Sequence, residues 1–580
     1  MSTHARPLAV WLAAAPDTQL AALFAARDVR PDASWADFFD AAEALLEPAS
    51  IERMLSQLTL DEARVLHQAA DPASVASVVS EPARTAAEAS LIALALLRPD
   101  GTPQPPVAEA VATRSVPDGA PTHTEAAPAS EGASAHAAER AFTSIGALAD
   151  VLLMARETPL ALLTSGNVAA GDKRRLEEAG LSAEIVNDLV ALARHARLAE
   201  ASDRRLRVTA AGERWLRLSA SERWALVAEA FRAGLPRGLQ TTAGGWPAVN
   251  QWAAQHPWDP AWSAHAGELR RRAQLLGLVA DGDTEPAWAV ALREGRAADS
   301  AALERMLPTE VDRIFLQNDL SAIAPGPLAS ALDVRLRAIA TRESAAQASS
   351  YRFTAESISH ALATGETAAS ILDFLGELSL TGIPQPLEYL VTQTAQRHGL
   401  VRVFFDTESD RTRVTSTDST LLDALGVDQA LRPLGLSRDA DGLTSRVGRD
   451  TVYWALTDAR YPATIVDNDG QVQVIDRNPA PPRAVADDTP YGALLARLRA
   501  QQGPDADAAW LDRELEAAVR SRSVLLVEVG MPDGTTRELT LEASGLGGGR
   551  LRGRDRAADV ERTLPVKSIR SARVVDPSVP

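Results

Sequence analysis

The sequence predicts a multidomain chain that is mainly α-helical with small β elements, an α+β architecture. Its 580 residues, 46% of them hydrophobic, suit several domains, because a typical domain holds about 100–150 residues. Apolar residues recur at helical spacing through much of the first half. Short β-type runs beside turn signals are concentrated in the last third. Local helices and small sheets therefore alternate along the chain.

Residues 1–111 are predicted to form an N-terminal helical, winged-helix-like domain. The apolar run that begins at Leu8 is short and is broken by Pro16-Asp17-Thr18, which favours two amphipathic helices over a signal peptide. Thr59 and Glu62 have the spacing of a capping box. No apolar run reaches the ~18 residues of a transmembrane helix, so no membrane partner is expected.

Two segments are predicted to be linkers. Residues 112–140 are dominated by Ala, Pro, Ser, Thr, Glu and Gly and are expected to be disordered, since they could bury too little apolar surface to offset their ordering entropy. Residues 477–490 are rich in proline and form the second predicted linker.

Residues 141–235 are predicted to form a winged-helix-like domain. Ser182 is expected to cap a helix that carries an apolar stripe from Ile185 to Ala196, and a strand–turn–strand follows around Asp203. The opposite face of that helix carries Glu184, Asn187, Asp188, Arg194 and His195. Residues 236–305 read as a helical, tryptophan-rich segment.

Nucleic-acid contacts are expected to come from a local arginine patch. The formal net charge is −18, which opposes long-range attraction to phosphates. The candidate contact residues are Arg194, Arg197, Arg204, Arg205, Arg207, Arg270, Arg271 and Arg272. Because Glu184 and Asp188 lie in the half of the helix that would enter a groove, a structural role is favoured for that helix.

Residues 306–476 contain a distinctive series of motifs. Its members are Gln317, Asp319, Leu320, Pro325, Gly326, Pro327, Glu343, Tyr351, Arg352, Phe353, Pro384, Gln385, Pro386 and Tyr389. The series resembles a helicase-associated domain of actinobacterial proteins, which is similar to the N-terminal, DNA-contacting part of XPB-type helicases. Structural roles are expected for most of these residues: a Pro-Gly-Pro turn with a left-handed glycine, an ion pair between Glu343 and Arg352, and three core aromatic rings.

Residues 491–580 are predicted to form a small β domain after a helix. The run from Arg562 to Ile569 resembles the closing strand of the WYL domain, usually a ligand-sensing module of bacterial regulators. The Trp-Tyr-Leu tripeptide of that family is absent from this chain, which places its ligand pocket in doubt.

The residues for common catalytic chemistry are missing from the sequence. Lys173 and Lys567 are the only lysines, neither follows a glycine, and there is no cysteine. A P-loop needs a lysine beside its glycines to neutralise phosphate charge. The histidines are dispersed and no Gly-x-Ser-x-Gly elbow occurs, so no enzyme activity, metal or cofactor is expected.

These observations favour a cytoplasmic, non-enzymatic, DNA-associated accessory protein that lacks a helicase motor. The resemblance implies a DNA-repair or helicase-linked context, with DNA and a separate helicase or repair protein as partners. Two alternatives stay open: a ligand-responsive transcriptional regulator of the WYL type, and a protein–protein scaffold for a separate helicase.

Overall fold

A computed structural model describes residues 4–72, 79–117, 126–345, 348–479, 490–503, 506–531 and 535–575. The described residues form many helices and four small sheets, of three to six strands. This mixed α+β architecture confirms the predicted fold class. No helix among these ranges is both long and apolar enough to cross a membrane.

The N-terminal region is helical. Its helices are α1 (Ala5–Ala14), α2 (Asp17–Ala26), α3 (Phe38–Leu45), α4 (Pro48–Ser56), α5 (Leu60–Ala70), α6 (Glu81–Ala93) and α7 (Pro105–Ala112). The predicted capping box is confirmed: Thr59 accepts from the Glu62 amide, while Glu62 accepts from the Thr59 amide. The helices supply two hydrophobic cores, one under α1–α3 and one under α4–α7.

A long helix, α8 (Glu131–Glu157), begins inside the predicted disordered linker. The prediction is therefore wrong for residues 131–140, while residues 118–125 lie outside the described ranges. Ser130 caps the helix, and Ala137 and Ala138 are fully buried. A β-carbon at Gly277 would lie 2.4 Å from the Ala137 carbonyl oxygen. Small side chains thus allow close backbone packing, which a search for large apolar residues overlooks.

The segment after α8 forms a three-stranded antiparallel sheet with helices on it. Its elements are β1 (Leu160–Ala161), α9 (Ala170–Glu178), α10 (Val186–His195), β2 (Ala199–Ser202), β3 (Arg205–Val208), α11 (Ala210–Trp215) and α12 (Ala220–Ala233). The strand order is β1-β3-β2. The predicted Ser182 cap is wrong: a turn runs from Ser182 to Ile185, and α10 begins at Val186 without a side-chain cap.

The tryptophan-rich segment packs into the same core as the residues before it. It contains α13 (Trp262–Leu275), α14 (Ala287–Arg293) and α15 (Ser300–Glu304). The indole of Trp224 in α12 donates to the Leu276 carbonyl at 2.7 Å, and that of Trp288 donates to Gly277 at 2.9 Å. Residues 126–307, here called the central module, therefore share one core across the predicted boundary at 235.

Residues 308–400 build a four-stranded antiparallel sheet with helices. The elements are β4 (Phe315–Leu316), β5 (Ser321–Ala324), α16 (Ser330–Ile339), β6 (Thr341–Ala345), β7 (Ser349–Arg352), α17 (Ala355–Ala363), α18 (Ala368–Leu378) and α19 (Gln385–Arg397). The strand order is β4-β5-β7-β6. The core beneath them contains Tyr351 and Phe353, as predicted.

Residues 401–476 form a second unit with its own core. Its elements are β8 (Val401–Asp406), β9 (Arg411–Ser416), α20 (Ser419–Val427), β10 (Ser437–Asp439), β11 (Gly442–Ser445), α21 (Arg449–Asp458), β12 (Ala463–Val466) and β13 (Val472–Gln473). The sheet order is β10-β11-β9-β8-β12-β13, with β8 and β12 parallel. The predicted hairpin at Asn468-Asp469-Gly470 is confirmed by the antiparallel β12–β13 pair.

The C-terminal region contains two helices and a five-stranded sheet. They are α22 (Gly492–Ala500), α23 (Ala506–Ser521), β14 (Val524–Gly530), β15 (Thr536–Gly547), β16 (Arg550–Asp555), β17 (Val560–Pro565) and β18 (Ile569–Val575), in the order β17-β16-β15-β14-β18. The predicted closing strand from Arg562 to Ile569 is instead the end of β17, a 3₁₀ turn and the start of β18.

The N-terminal helices α1–α3 share a core with α22 and the start of α23. Tyr491, Leu494, Leu498 and Trp510 belong to the core of α1–α3. Most of the predicted linker at 477–490, namely positions 480–489, lies outside the described residues. Helix α22 thus packs with the N-terminal helices, whereas α23 joins both cores: Trp510 lies in the N-terminal core, and Leu511 and Leu515 lie in the core of the five-stranded sheet.

Candidate nucleic-acid interface

A tight hairpin carries three of the predicted arginines. Strands β2 and β3 pair in antiparallel register from Ala199 opposite Val208 to Ser202 opposite Arg205. Asp203 and Arg204 form the two-residue loop, with φ of 51° and 57°. Two positive φ values suit a hairpin loop that follows the right-handed strand twist. The loop therefore projects Arg204 at the tip of the hairpin.

Side chains alternate along β3. Leu206 and Val208 are buried, whereas Arg205 is exposed and Arg207 is half-buried. Arg205 donates from Nη1 to the Pro159 carbonyl at 3.1 Å, so its guanidinium is partly committed to the fold. Arg207 lies opposite Glu200 in the β2–β3 register, which reduces the local positive charge.

The carboxyl end of α10 contributes two more arginines. Arg194 and Arg197 are exposed, and Arg197 has a φ of 54° where the helix ends. The Arg194 guanidinium reaches the loop between β1 and α9, since a β-carbon at Gly166 would lie 3.2 Å from Nη1. Arg194, Arg197, Arg204 and Arg207 make no side-chain hydrogen bond or ion pair within the described ranges. These four residues are here called the hairpin cluster.

The three consecutive arginines of α13 are placed differently. Arg270 pairs with Asp283 at 2.6 Å, Arg271 donates to Asp188 at 2.6 Å, and Arg272 donates to the same carboxylate at 2.9 Å. Asp188 is only 2% exposed. Its hydrogen bond, together with its charge, raises the pKa of Arg271. Arg271 and Arg272 therefore neutralise a buried carboxylate, and Arg270 neutralises a half-buried one.

The contacts of Asp188 determine which polar side chains of α10 are accessible at the surface. In the predicted polar face, Glu184, Arg194 and His195 are exposed and Asn187 is half-buried, while Asp188 lies beneath α13. The Asn187 side chain accepts from the Val168 amide at 3.1 Å. Part of that face is therefore used to pack the module. Asp188 is 83 and 84 residues from Arg271 and Arg272 in the sequence. No local sequence pattern could therefore predict these ion pairs.

The motif residues at the β4–β5 turn form a connected polar surface. Gln317, Asn318 and Asp319 are exposed. Ser321 donates to Gln317 at 2.8 Å and to Asp319 at 2.6 Å. The Ser321 hydroxyl is the main cause of the lowered pKa of Asp319. Leu320 takes a φ of 65°, and its carbonyl accepts from the Phe353 amide at 2.9 Å.

The predicted ion pair between Glu343 and Arg352 is confirmed at 2.9 Å. Arg352 also donates to the Asp319 carbonyl at 2.9 Å, which joins β7 to the β4–β5 turn. Glu343 raises the pKa of Arg352 by hydrogen bond and charge. The structure thus brings Gln317, Asp319, Glu343 and Arg352 together on one exposed edge.

Two expectations for the motif residues are wrong. Gly326 has no left-handed φ. A β-carbon there would lie 3.1 Å from the Val311 side chain, so close packing explains this glycine between Pro325 and Pro327. Tyr389 is 65% exposed rather than buried, because it lies on the outer side of α19, which buries Leu387 and Val391. Pro384 is the residue before α19, which begins with Gln385 and Pro386.

Neither lysine lies in a glycine-rich loop. Lys173 is the fourth residue of α9, and Lys567 is in the 3₁₀ turn before β18. Within the described ranges, no group of three or more His, Asp or Glu side chains is arranged to hold a metal ion.

Residues 314–440 match a family model described as the helicase conserved C-terminal domain. The match begins at the end of the segment before β4 and includes β10, so it spans the four-stranded sheet and much of the six-stranded one. It supports a helicase-related domain in this part of the chain. A search of curated proteins found no match.

Proposed function

We propose that this chain is a non-enzymatic accessory protein that binds DNA in a helicase-linked process. The observation that carries the proposal is the hairpin cluster, Arg194, Arg197, Arg204 and Arg207, which is exposed or half-buried and uncommitted. The match of residues 314–440 to a helicase-related family model supplies the context.

The order of elements in the central module supports a winged-helix reading. A helix, a strand, two helices and a β-hairpin follow one another, with strand order β1-β3-β2. In such modules the third helix and the hairpin usually contact DNA. Here α13 covers Asp188 on the third helix, so the arginines on the hairpin and at the end of α10 are the better contacts. They would bind phosphates rather than read bases.

The proposed absence of a motor follows from the lysine content. Lys173 has a carboxylate directly before it in the sequence and Lys567 lies near the end of the last sheet. Neither position is suited to neutralise the terminal phosphates of a nucleotide. The purified chain is therefore expected to release no phosphate from ATP, with or without DNA.

Fluorescence polarisation with duplex, forked and single-stranded DNA tests the binding proposal. The double variant R204A/R207A should bind more weakly. On duplex DNA the slope of log affinity against log salt should become less negative by about 1.8, because each lost phosphate contact contributes about 0.9. The matched control R30A/R305A removes two exposed arginines outside the hairpin cluster and should bind like the parent. Equal affinities for both variants would overturn the assignment.

A scaffold for a separate helicase is the second candidate. The net charge of −18 opposes DNA binding at long range, and α10 is partly covered. Two results together would favour the scaffold. A pull-down with the parent chain should recover a helicase after nuclease treatment, and the parent chain should show no affinity for DNA at low salt.

A further inference from the structure

A cavity of about 410 Å³ lies between the loop after α2 and the first turns of α4. Its lining includes Arg27, Arg30, Trp35, Ser50 and Arg53. This cavity is far in sequence from the hairpin cluster and from the helicase-related domain.

Arg27 is the unusual residue of this cavity. It is only 5% exposed, and its Nη2 donates to the Leu45 carbonyl and, at 3.0 Å, to the Ser50 hydroxyl. Its Nε and Nη1 are buried and have no partner in the described part of the chain. Burial, assisted by the nearby charge of Arg53, lowers the pKa of Arg27 to about 10. A buried guanidinium without a counter-ion is costly, because desolvation is not repaid by an opposite charge.

The other charges of the cavity leave Arg27 uncompensated. Arg30 is paired with Asp32 at 2.7 Å. Arg53 is exposed and makes no side-chain ion pair among the described residues. Asp28 and Glu47 are exposed at the rim, and neither carboxylate lies within ion-pair distance of Arg27. Arg27 and Arg53 therefore both line the cavity without a carboxylate partner among the described residues.

The start of α4 adds a second favourable field. The helix has nine residues, and Glu47 precedes it without a side-chain cap. Ala49 in its first turn lines the cavity. The positive end of the helix dipole favours anions at such a position.

The cavity wall is held in place from behind. Arg497 in α22 donates to the Trp35 carbonyl at 3.1 Å, and the Tyr491 hydroxyl donates to the Val29 carbonyl at 2.9 Å. The loop that carries Arg30 and Trp35 is thus fixed by the C-terminal helices. A ligand would meet a preformed site, which reduces the ordering cost of binding.

We propose that this cavity binds a small oxyanion, with Arg27 and Arg53 as its cationic partners and the first turn of α4 beside it. Phosphate and carboxylate groups both have the acceptor oxygens that a guanidinium recognises. This site goes beyond the proposed DNA-binding function and does not depend on it.

Titration calorimetry of the full chain with inorganic phosphate, at constant ionic strength, tests the proposal, and acetate in a parallel titration separates the two oxyanion classes. Saturable one-site binding is expected for at least one of them. R53A should weaken it at least tenfold, and because Arg53 is exposed the variant should unfold at the parent temperature. E47Q should bind more tightly, since it removes a carboxylate at the rim.

The variant R305A serves as the charge-matched control and should bind like the parent, as should R204A/R207A. Absence of saturable binding of either anion, or equal affinity of the parent and R53A, would overturn the site. Because R204A/R207A affects only the hairpin cluster, failure of the oxyanion site and failure of the DNA proposal are distinguishable.

Discussion

Asp150 of α8 accepts a hydrogen bond from Arg337 of α16 at 2.6 Å, so one carboxylate joins the central module to the helicase-related domain. Arg342 of β6 contacts the other oxygen of the same carboxylate at 2.5 Å. All three side chains are less than 20% exposed. Burial alone would lower the pKa of Arg337, but Asp150 and Asp333 more than offset it and raise that pKa.

Replacement of Asp150 by Ala should destabilise the protein by about 2–3 kcal/mol, because two largely buried guanidinium groups would lose their shared partner. Urea unfolding measures the change. The control D423N removes one member of an exposed pair with Arg438 and should cost less than about 1 kcal/mol. A similar small cost for both variants would show that Asp150 does not fasten the two parts.

Replacement of Asp188 by Ala should cost about 3 kcal/mol, since Arg271 and Arg272 would lose the carboxylate that they share under α13. The comparison is D283A, which frees Arg270 from a more exposed carboxylate and should cost about 1 kcal/mol or less. Thermal unfolding distinguishes them. If D188A were as stable as D283A, α13 would be held to α10 by apolar packing alone.

Replacement of Arg204 by Gly should separate folding from binding. Glycine adopts the positive φ of the hairpin loop without strain, so the free energy of unfolding should increase by about 0.5–1 kcal/mol. The same variant removes one proposed phosphate contact. The slope of log affinity against log salt for DNA binding should therefore become less negative by about 0.9. Paired chemical unfolding and polarisation experiments measure both quantities. A variant that is less stable than the parent, or that keeps the parent slope, would contradict the assigned role.

The contact between α3 and α23, made by Asp40 and Arg513, should depend on pH. Burial alone would raise the pKa of Asp40, but hydrogen bonds from Arg513 and the Ala36 amide outweigh it and lower that pKa below its ordinary value of 3.8. A lowered pKa in the folded state adds stability above the unfolded value and loses it in more acid solution.

The D40N variant tests this pH dependence. The difference in unfolding free energy between the parent and D40N should be constant near neutrality and should shrink as pH falls through 3.8 and below. Denaturant unfolding between pH 7 and pH 3 measures it. A difference that grows in acid would contradict the assigned direction.

Local features were predictable from the sequence because neighbouring residues decide them. The capping box at Thr59 and Glu62 and the turn at Gly470 depend on side chains and backbone only a few positions apart. The ion pair of Glu343 and Arg352 joins adjacent strands nine residues apart. The disorder predicted for residues 131–140 failed because alanines in α8 pack through close backbone approach rather than through large side chains.

The amino-acid sequence alone determined that the chain is mainly helical with small sheets, and that it contains only two lysines and no cysteine. Tertiary structure alone decided which arginines stay uncommitted. Asp188 pairs with Arg271 and Arg272, which are 83 and 84 residues away in the sequence. Arg204 and Arg207, by contrast, have no ion-pair partner in the described ranges. Arg27 is buried without one. The reason is physical: an ion pair depends on distances across the folded chain, and its partners are set by packing that no local pattern encodes.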